Sequence, residues 1–225
     1  MKRKFFYTIA SMVVWFAACT VEGTYTGTMP EPSPQAEPMI LTMQGTGAKT
    51  IKMAGTGAIS INWGDGPKDY LLSLAVQNFS YTYSGNPDVR TVTITGENIT
   101  HLDCSNIEIL SLDITKNTAL KELKCRFNEI RSLDVTKNTA LTELWCDNNR
   151  LQALNLSNNI ALKTIHVYYN DLTANSLNAL FETLHNKDIS GKTIYITKNP
   201  GTVECNKNLA ETRGWNVDVD TGWGQ

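Results

Sequence analysis

Five cysteines, three histidines and nearly balanced charge leave several chemistries with little material in this 225-residue chain. There is no Cys-x-x-Cys pair, and His101, His166 and His185 are scattered, so no metal site is expected and no cofactor is implied. No nucleophile elbow, phosphate-binding glycine loop or Ser-His-Asp order stands out, which argues against an enzyme. Lysine and arginine number 20 against 22 acidic residues, a formal charge of −2. Without a concentrated basic face, nucleic acid is a poor partner. No apolar run is long enough for a comfortable membrane span.

What the chain does have is a period. Leu112-Asp-Ile-Thr-Lys-Asn-Thr-Ala-Leu120, Leu133-Asp-Val-Thr-Lys-Asn-Thr-Ala-Leu141 and Leu154-Asn-Leu-Ser-Asn-Asn-Ile-Ala-Leu162 follow one another at a step of 21 residues. Each leads into Leu123-x-Cys125-x-x-Asn128, Leu144-x-Cys146-x-x-Asn149 or Ile165-x-Val167-x-x-Asn170. Self-similarity of this length marks stacked repeats. The pattern resembles the leucine-rich repeat. An imperfect first copy begins at Ile99, with Ile107 in the asparagine position. After Leu172 the spacing of Leu177, Leu180, Phe181 and Leu184 predicts an amphipathic helix capped by Thr173. The strand motif then returns at Ile194-x-Ile196-x-x-Asn199, 29 residues after Ile165, the extra length fitting a helix in place of a tight turn. Residues 206–213 read as a short helix before Gly214, with Trp215, Val217 and Val219 as a closing strand or cap.

The amino-terminal region has its own organisation. Met1-Lys-Arg-Lys4 and a short apolar run read as a secretory signal, and Phe16-Ala-Ala-Cys19 resembles the bacterial lipobox, whose cysteine is lipidated; the alternative is an ordinary signal peptide with a nearby cysteine. Cys19 is thus the expected lipidation site and the link to a membrane. Residues 20–38, with Pro30, Pro32, Pro34 and Pro38, cannot bury enough surface to offset their chain entropy and form a tether. From residue 39 to about 96, short alternating stretches such as Ile59, Ile61 and Trp63 are separated by glycine turns, as in a small sandwich. Asp65 in Gly64-Asp-Gly66 is expected to cap its own turn, since one carboxylate makes no calcium site. Trp63-Gly-Asp-Gly66, Tyr81-Thr-Tyr83 and Val92-Thr-Ile-Thr-Gly96 together resemble the PKD-type immunoglobulin-like module.

The composite resembles the leucine-rich-repeat surface lipoproteins of Bacteroidota, down to Asn199-Pro-Gly201 and Gly214-Trp-Asn-Val217 near the end. The expected fold is mainly β with some α: a small N-terminal sandwich, a short repeat solenoid and a helical C-terminal cap. The expected segments are a lipoprotein signal peptide at 1–18, a tether at 19–38, a PKD-like sandwich at 39–97, repeats at 98–200 and a cap at 201–225. The resemblance implies a binding or adhesion protein, anchored by Cys19 at the outer membrane or cell surface.

Within a repeat, alternation would turn Leu123 and Cys125 inward and Glu122, Lys124 and Arg126 toward a concave face. Asn128, Asn149 and Asn170 would bond loop backbone between repeats. Cys104, Cys125 and Cys146 are expected to form a buried thiol ladder, because their parallel side chains suit a disulfide badly. Cys205 falls in the cap and is expected to be unpaired or buried. On the concave face, Asp103 is expected to pair with Lys124, and Arg126 with Asp147. Trp145, His166, Tyr168 and Tyr195 would form an aromatic region, with Tyr169 at the rim and the acidic column Glu122 and Glu143 beside it. These aromatics either contact a ligand or pack across strands to stiffen the sheet. Glu122 and Glu143 formally resemble a glycosidase pair, but strand neighbours on an open face lack an enclosing cleft. The reading is a monomeric, non-enzymatic envelope protein that binds a protein or a glycan. The alternatives are a glycan-capture lipoprotein of a polysaccharide uptake system and a structural envelope spacer.

Overall fold

The computed structural model describes residues 37–85 and 88–219. Cys19, the signal segment and most of the tether lie outside these residues. The first seven strands are β1 (Met39–Met43), β2 (Gly47–Asn62), β3 (Pro67–Leu72), β4 (Gln77–Tyr83), β5 (Arg90–Thr95), β6 (Asn98–Asp103) and β7 (Ile109–Asp113). β2, 16 residues long, organises them. Its first half pairs antiparallel with β4 and β6, and its second half with β3 and β5. β1 lies between β5 and β7. The change of partners occurs where the β2–β6 register shifts between Ala54 and Gly55. A Cβ at Gly55 would sit 2.0 Å from the carbonyl oxygen of Asn98, so only glycine lets the strands meet there. Alternation then places Met39, Leu41 and Met43 of β1, Ile51 and Met53 of β2, and Val92 and Ile94 of β5 in the core.

β6 starts a parallel ladder that continues through β8 (Glu122–Lys124), β9 (Glu143–Trp145), β10 (Thr164–His166), β11 (Thr193–Tyr195) and β12 (Asn216–Asp218). The register is that of the repeat: Leu102, Leu123, Leu144, Ile165, Ile194 and Val217 are successive partners. The repeats therefore form a parallel, in-register stack, and the fold is mainly β with two helices among the described residues. Two ladders, β2–β6 and β1–β7, tie the N-terminal strands to the first repeat.

Asparagine holds the turns. The Asn149 side chain donates to the carbonyls of Cys125 (2.8 Å), Cys146 (3.1 Å) and Asp147 (3.3 Å) and accepts from the Ile130 amide at 3.0 Å. Asn128 and Asn170 repeat this pattern, and Asn199 carries it to the longer repeat. A second ladder, not anticipated from the sequence, runs through Asn117, Asn138 and Asn159 on the return turns. Asn138 donates to the carbonyls of Ile114 (3.0 Å) and Asn117 (2.7 Å), and Asn159 to those of Val135 and Asn138, both at 2.9 Å. Its sequence signal is an asparagine at the same step inside each Thr-Lys-Asn-Thr or Ser-Asn-Asn-Ile segment.

Helix α1 (Ala174–Thr183) starts at Thr173, whose hydroxyl accepts from the Ser176 amide. It buries Leu177, Leu180 and Phe181 and stops before Leu184, which takes an extended conformation. Helix α2 (Asn208–Glu211) is shorter than the sequence pattern implied, and Gly214 follows with φ +78°. Trp215 is buried behind it and donates its indole N–H to the carbonyl of His185 at 2.9 Å.

Candidate functional site

Three rows of side chains lie along the parallel strands of the repeats. His101, Glu122, Glu143, Thr164 and Thr193 form the first, and Asp103, Lys124, Trp145, His166 and Tyr195 the second, in direct strand register. Arg126, Asp147 and Tyr168 lie two residues further along their repeats.

Parallel strands about 4.8 Å apart carry flat rings at a spacing close to ring thickness. The rings accordingly stack. Trp145 and His166 are 3.9 Å apart at 21°, and His166 and Tyr195 are 4.3 Å apart at 13°. The other side of Trp145 meets cations: Arg126 lies 4.9 Å and Lys124 Nζ 5.1 Å from its ring. The aromatics are therefore not the open platform that a row of exposed rings would make. His166 and Tyr168 are buried, at 6% and 7% exposure, while Trp145 and Tyr195 keep only part of their surface. Burial holds the His166 imidazole at a pKa of about 4, with Asp147 opposing the shift, so the ring is neutral at pH 7.

Arg126 links the rows. Its Nε donates to Asp147 Oδ2 at 3.0 Å and Nη2 donates to the Tyr168 hydroxyl at 2.8 Å. Asp147 is fully buried, and its Oδ2 also accepts from the Asn148 amide group. The Arg126–Asp147 pairing thus matches the sequence expectation. The Asp103–Lys124 pairing does not form. Asp103 faces Lys52, its antiparallel partner on β2, at 3.5 Å, and Lys124 turns to Glu122 on its own strand at 2.5 Å. Glu122 also lies 3.6 Å from His101 Nε2. Glu143 has the indole N–H of Trp145 at 3.3 Å and no cation within ion-pair distance among the described residues.

The thiols of Cys104, Cys125 and Cys146 lie beneath these rows, fully buried and free, with Val167 next in their column. Desolvation pushes all three pKa values up, which keeps them protonated and unreactive. Cys205 is also buried and free. No cluster of three or more metal-ligating side chains occurs among the described residues.

Asp65 is not the cap of its turn. Asn62 takes that role, its Oδ1 accepting from the amides of Gly64 (2.8 Å) and Gly66 (3.2 Å). The acceptor needed is the one that precedes the turn, and Asp65 at its apex points out to Lys68 at 3.1 Å. A groove of about 630 Å³ lies between α1 and the turns at Leu133 and Leu154, but its Asp134 side chain is already used by Thr136 and Asn155 by Ser157.

One edge feature was not legible as such in the sequence. The residues just before the ladder asparagines, Phe127, Asn148, Tyr169 and Lys198, all adopt left-handed backbone, with φ of 53°, 54°, 50° and 59°. Phe127 and Tyr169 are about half exposed there, at 52% and 48%.

No family model matches the chain, and no curated protein matches it. Among solved structures it is similar to the functional domain of InlJ from Listeria monocytogenes, described as including a cysteine ladder, with 34% identity and a TM-score of 0.40 over 50% of this chain and 23% of that one. It is also similar to an internalin, inlF, from Listeria monocytogenes, with 19% identity and a TM-score of 0.36 over 45% of this chain and 28% of that one. The chain thus spans about a quarter of the length of these structures.

Proposed function

We propose that this chain is a lipid-anchored protein of the cell envelope that recognises another protein through the concave side of its repeats. The proposal takes Cys19 as the acylated residue after a signal segment at 1–18 and places the protein at the outer membrane or cell surface, as in the Bacteroidota-type surface lipoproteins it resembles. Residues 19–38 serve as tether, 39–97 as a PKD-like sandwich, 98–200 as a repeat solenoid and 201–225 as its cap. The chain acts as a non-enzymatic monomer.

The observation that carries this reading is Glu143. Its carboxylate is only half-buried, has no cation partner among the described residues and is held by the indole of Trp145. A fixed, unpaired charge beside rigid aromatic edges offers a partner's cation or amide a pre-organised contact. Glu122 and Tyr195 flank it on the same face, and His166 and Tyr168 act from below as packing support. A protein is favoured over a glycan because sugar rings stack on open aromatic faces, and both faces of Trp145 and of His166 are covered. The same closure favours a second reading, a spacer whose concave face satisfies itself.

Site-specific photocrosslinking on intact cells separates the two. A crosslinker at Thr164 should capture a discrete protein, a crosslinker at Lys137 on the return turns should not, and Glu143→Lys should abolish the capture. Equal yields at Thr164 and Lys137 would leave the spacer reading. For the anchor, Cys19→Ser should move the protein out of the membrane fraction; retention without fatty acid on the peptide would remove lipidation from the proposal.

A further inference from the structure

The row of residues preceding the ladder position, which is Ile107 in the first repeat and asparagine in the others, is Asn106, Phe127, Asn148, Tyr169 and Lys198, all with φ between 50° and 59°. Asparagine tolerates left-handed backbone; bulky side chains rarely adopt it. Asn106 and Asn148 therefore fill this position as stability alone would choose. Phe127 and Tyr169 do not. They hold aromatic rings half exposed on strained backbone, in a position where the neighbouring repeat shows that asparagine fits. Strain kept at two equivalent positions, with apolar surface left in water at both, points away from folding and toward contact.

The charge beside them is specific. The guanidinium of Arg126 lies 5.3 Å from the Phe127 ring and 4.9 Å from that of Trp145. Asp147 and Tyr168 fix it through Nε and Nη2, and Nη1 has no partner among the described residues. About a fifth of its side chain is exposed. A guanidinium clamped in this way loses little freedom on accepting a second carboxylate. The row itself carries no carboxylate and ends in the exposed Lys198. Glu129, just beyond Asn128, pairs with Arg150 at 3.2 Å, whereas Asp171, just beyond Asn170, is exposed, so an acidic side chain is favoured at the Phe127 end of the row rather than at Tyr169.

We infer that this rim is the anchoring strip for a protein loop carrying an acidic side chain next to an apolar one. The carboxylate meets Arg126, and the apolar side chain covers Phe127 or Tyr169. The inference rests on the reading of the chain as a protein-binding repeat protein and moves the anchor from the strand face to its edge. A peptide suits the strip better than an acidic oligosaccharide, because the ring beside the Arg126 guanidinium is that of Phe127, which offers no hydrogen bond.

The probe is an immobilised array of capped decapeptides in four classes, acidic–apolar, basic–apolar, neutral–polar and acidic without apolar residues, with an oligouronate as a fifth surface. The full chain should bind the acidic–apolar class. Phe127→Asn with Tyr169→Asn should weaken that binding at least tenfold, while the melting temperature stays equal or rises because asparagine relieves the backbone. Arg126→Gln should remove the preference for acidic over neutral peptides. Parent-like binding by the double variant overturns the inference, as does a preference for basic peptides or for the oligouronate. If Glu143→Lys abolishes peptide binding and the rim variant does not, the rim is wrong and strand-face recognition stands. If no peptide class binds, the rim inference falls, and absence of a crosslinked protein at Thr164 then removes the proposed function too.

Discussion

The imidazole of His166 lies between the indole of Trp145 at 3.9 Å and the phenol of Tyr195 at 4.3 Å, nearly parallel to both. Three neighbouring strands thereby share one stack, and its central ring is neutral because it is buried. The histidine pKa is about 4 in the folded chain against a usual value near 6.5. A proton thus binds the unfolded chain first as pH falls. Stability from this ring is complete above about pH 6.5 and is lost between there and about pH 4. His185, whose pKa burial also lowers, contributes in the same direction. His166→Phe keeps the stack and removes the titration. The fall in melting temperature between pH 7 and pH 4.5 should be smaller in this variant than in the parent; an equal fall would mean that His166 is not the buried neutral group.

The two asparagine ladders should matter equally, although they lie on opposite turns. Asn149→Ala leaves the buried Ile130 amide without its acceptor and takes one of two side-chain donors from each of the carbonyls of Cys125 and Cys146, and Asn138→Ala takes the side-chain donor from those of Ile114 and Asn117. Leaving buried polar groups unsatisfied costs about 1–3 kcal/mol. Each variant should lose that much stability in urea titration, whereas Lys137→Ala, one residue before Asn138 and exposed, should lose almost none. If Asn138→Ala matched Lys137→Ala, the second ladder would be energetically idle.

Much of this was legible from the 21-residue step, because a parallel stack turns equal sequence positions into neighbours. Leu123, Cys125 and Asn128 could be assigned to core, core and turn from one repeat and transferred to the next. What the step does not encode is how neighbours divide their contacts. Trp145, His166 and Tyr195 were recognisable as one column, but that their faces cover each other follows from strand spacing and ring thickness together. The Asp103–Lys52 pair was hidden because Lys52 belongs to a strand outside the repeat. Left-handed backbone at Phe127 shows only in the structure, with asparagine at the equivalent positions 106 and 148 as its sequence trace.

Cys104, Cys125 and Cys146 should behave as core atoms, not as a redox device. All three are closed off from solvent, and desolvation raises their thiol pKa values. Alkylation at pH 8 should leave them unmodified for as long as the protein stays folded and become complete in denaturant. Mass spectrometry of the two samples reads this directly. A Cys125–Cys146 disulfide in purified protein would contradict it.

Gly55 should control whether the N-terminal strands and the repeats fold together. The β2–β6 register shifts there, just before β2 passes to its pairing with β3 and β5, and a Cβ at Gly55 would meet the backbone of Asn98 at the start of the first repeat strand. A second tie crosses the same junction: Lys49, almost wholly buried, meets Glu108 at 2.8 Å. With ladders and an ion pair spanning the boundary, the parent should unfold in one transition by circular dichroism and by tryptophan fluorescence alike. In Gly55→Ala the new methyl group must displace Asn98 backbone, since it would lie 2.0 Å from the carbonyl oxygen if nothing moved. Overpacking of this kind costs about 1–3 kcal/mol or more. The variant should therefore melt earlier by both probes, and fluorescence, weighted by Trp63 on one side of the junction and Trp145 and Trp215 on the other, should reveal any separation. Two resolved transitions already in the parent would show that the strands and the repeats are independent units, and that the shared ladders couple them only weakly.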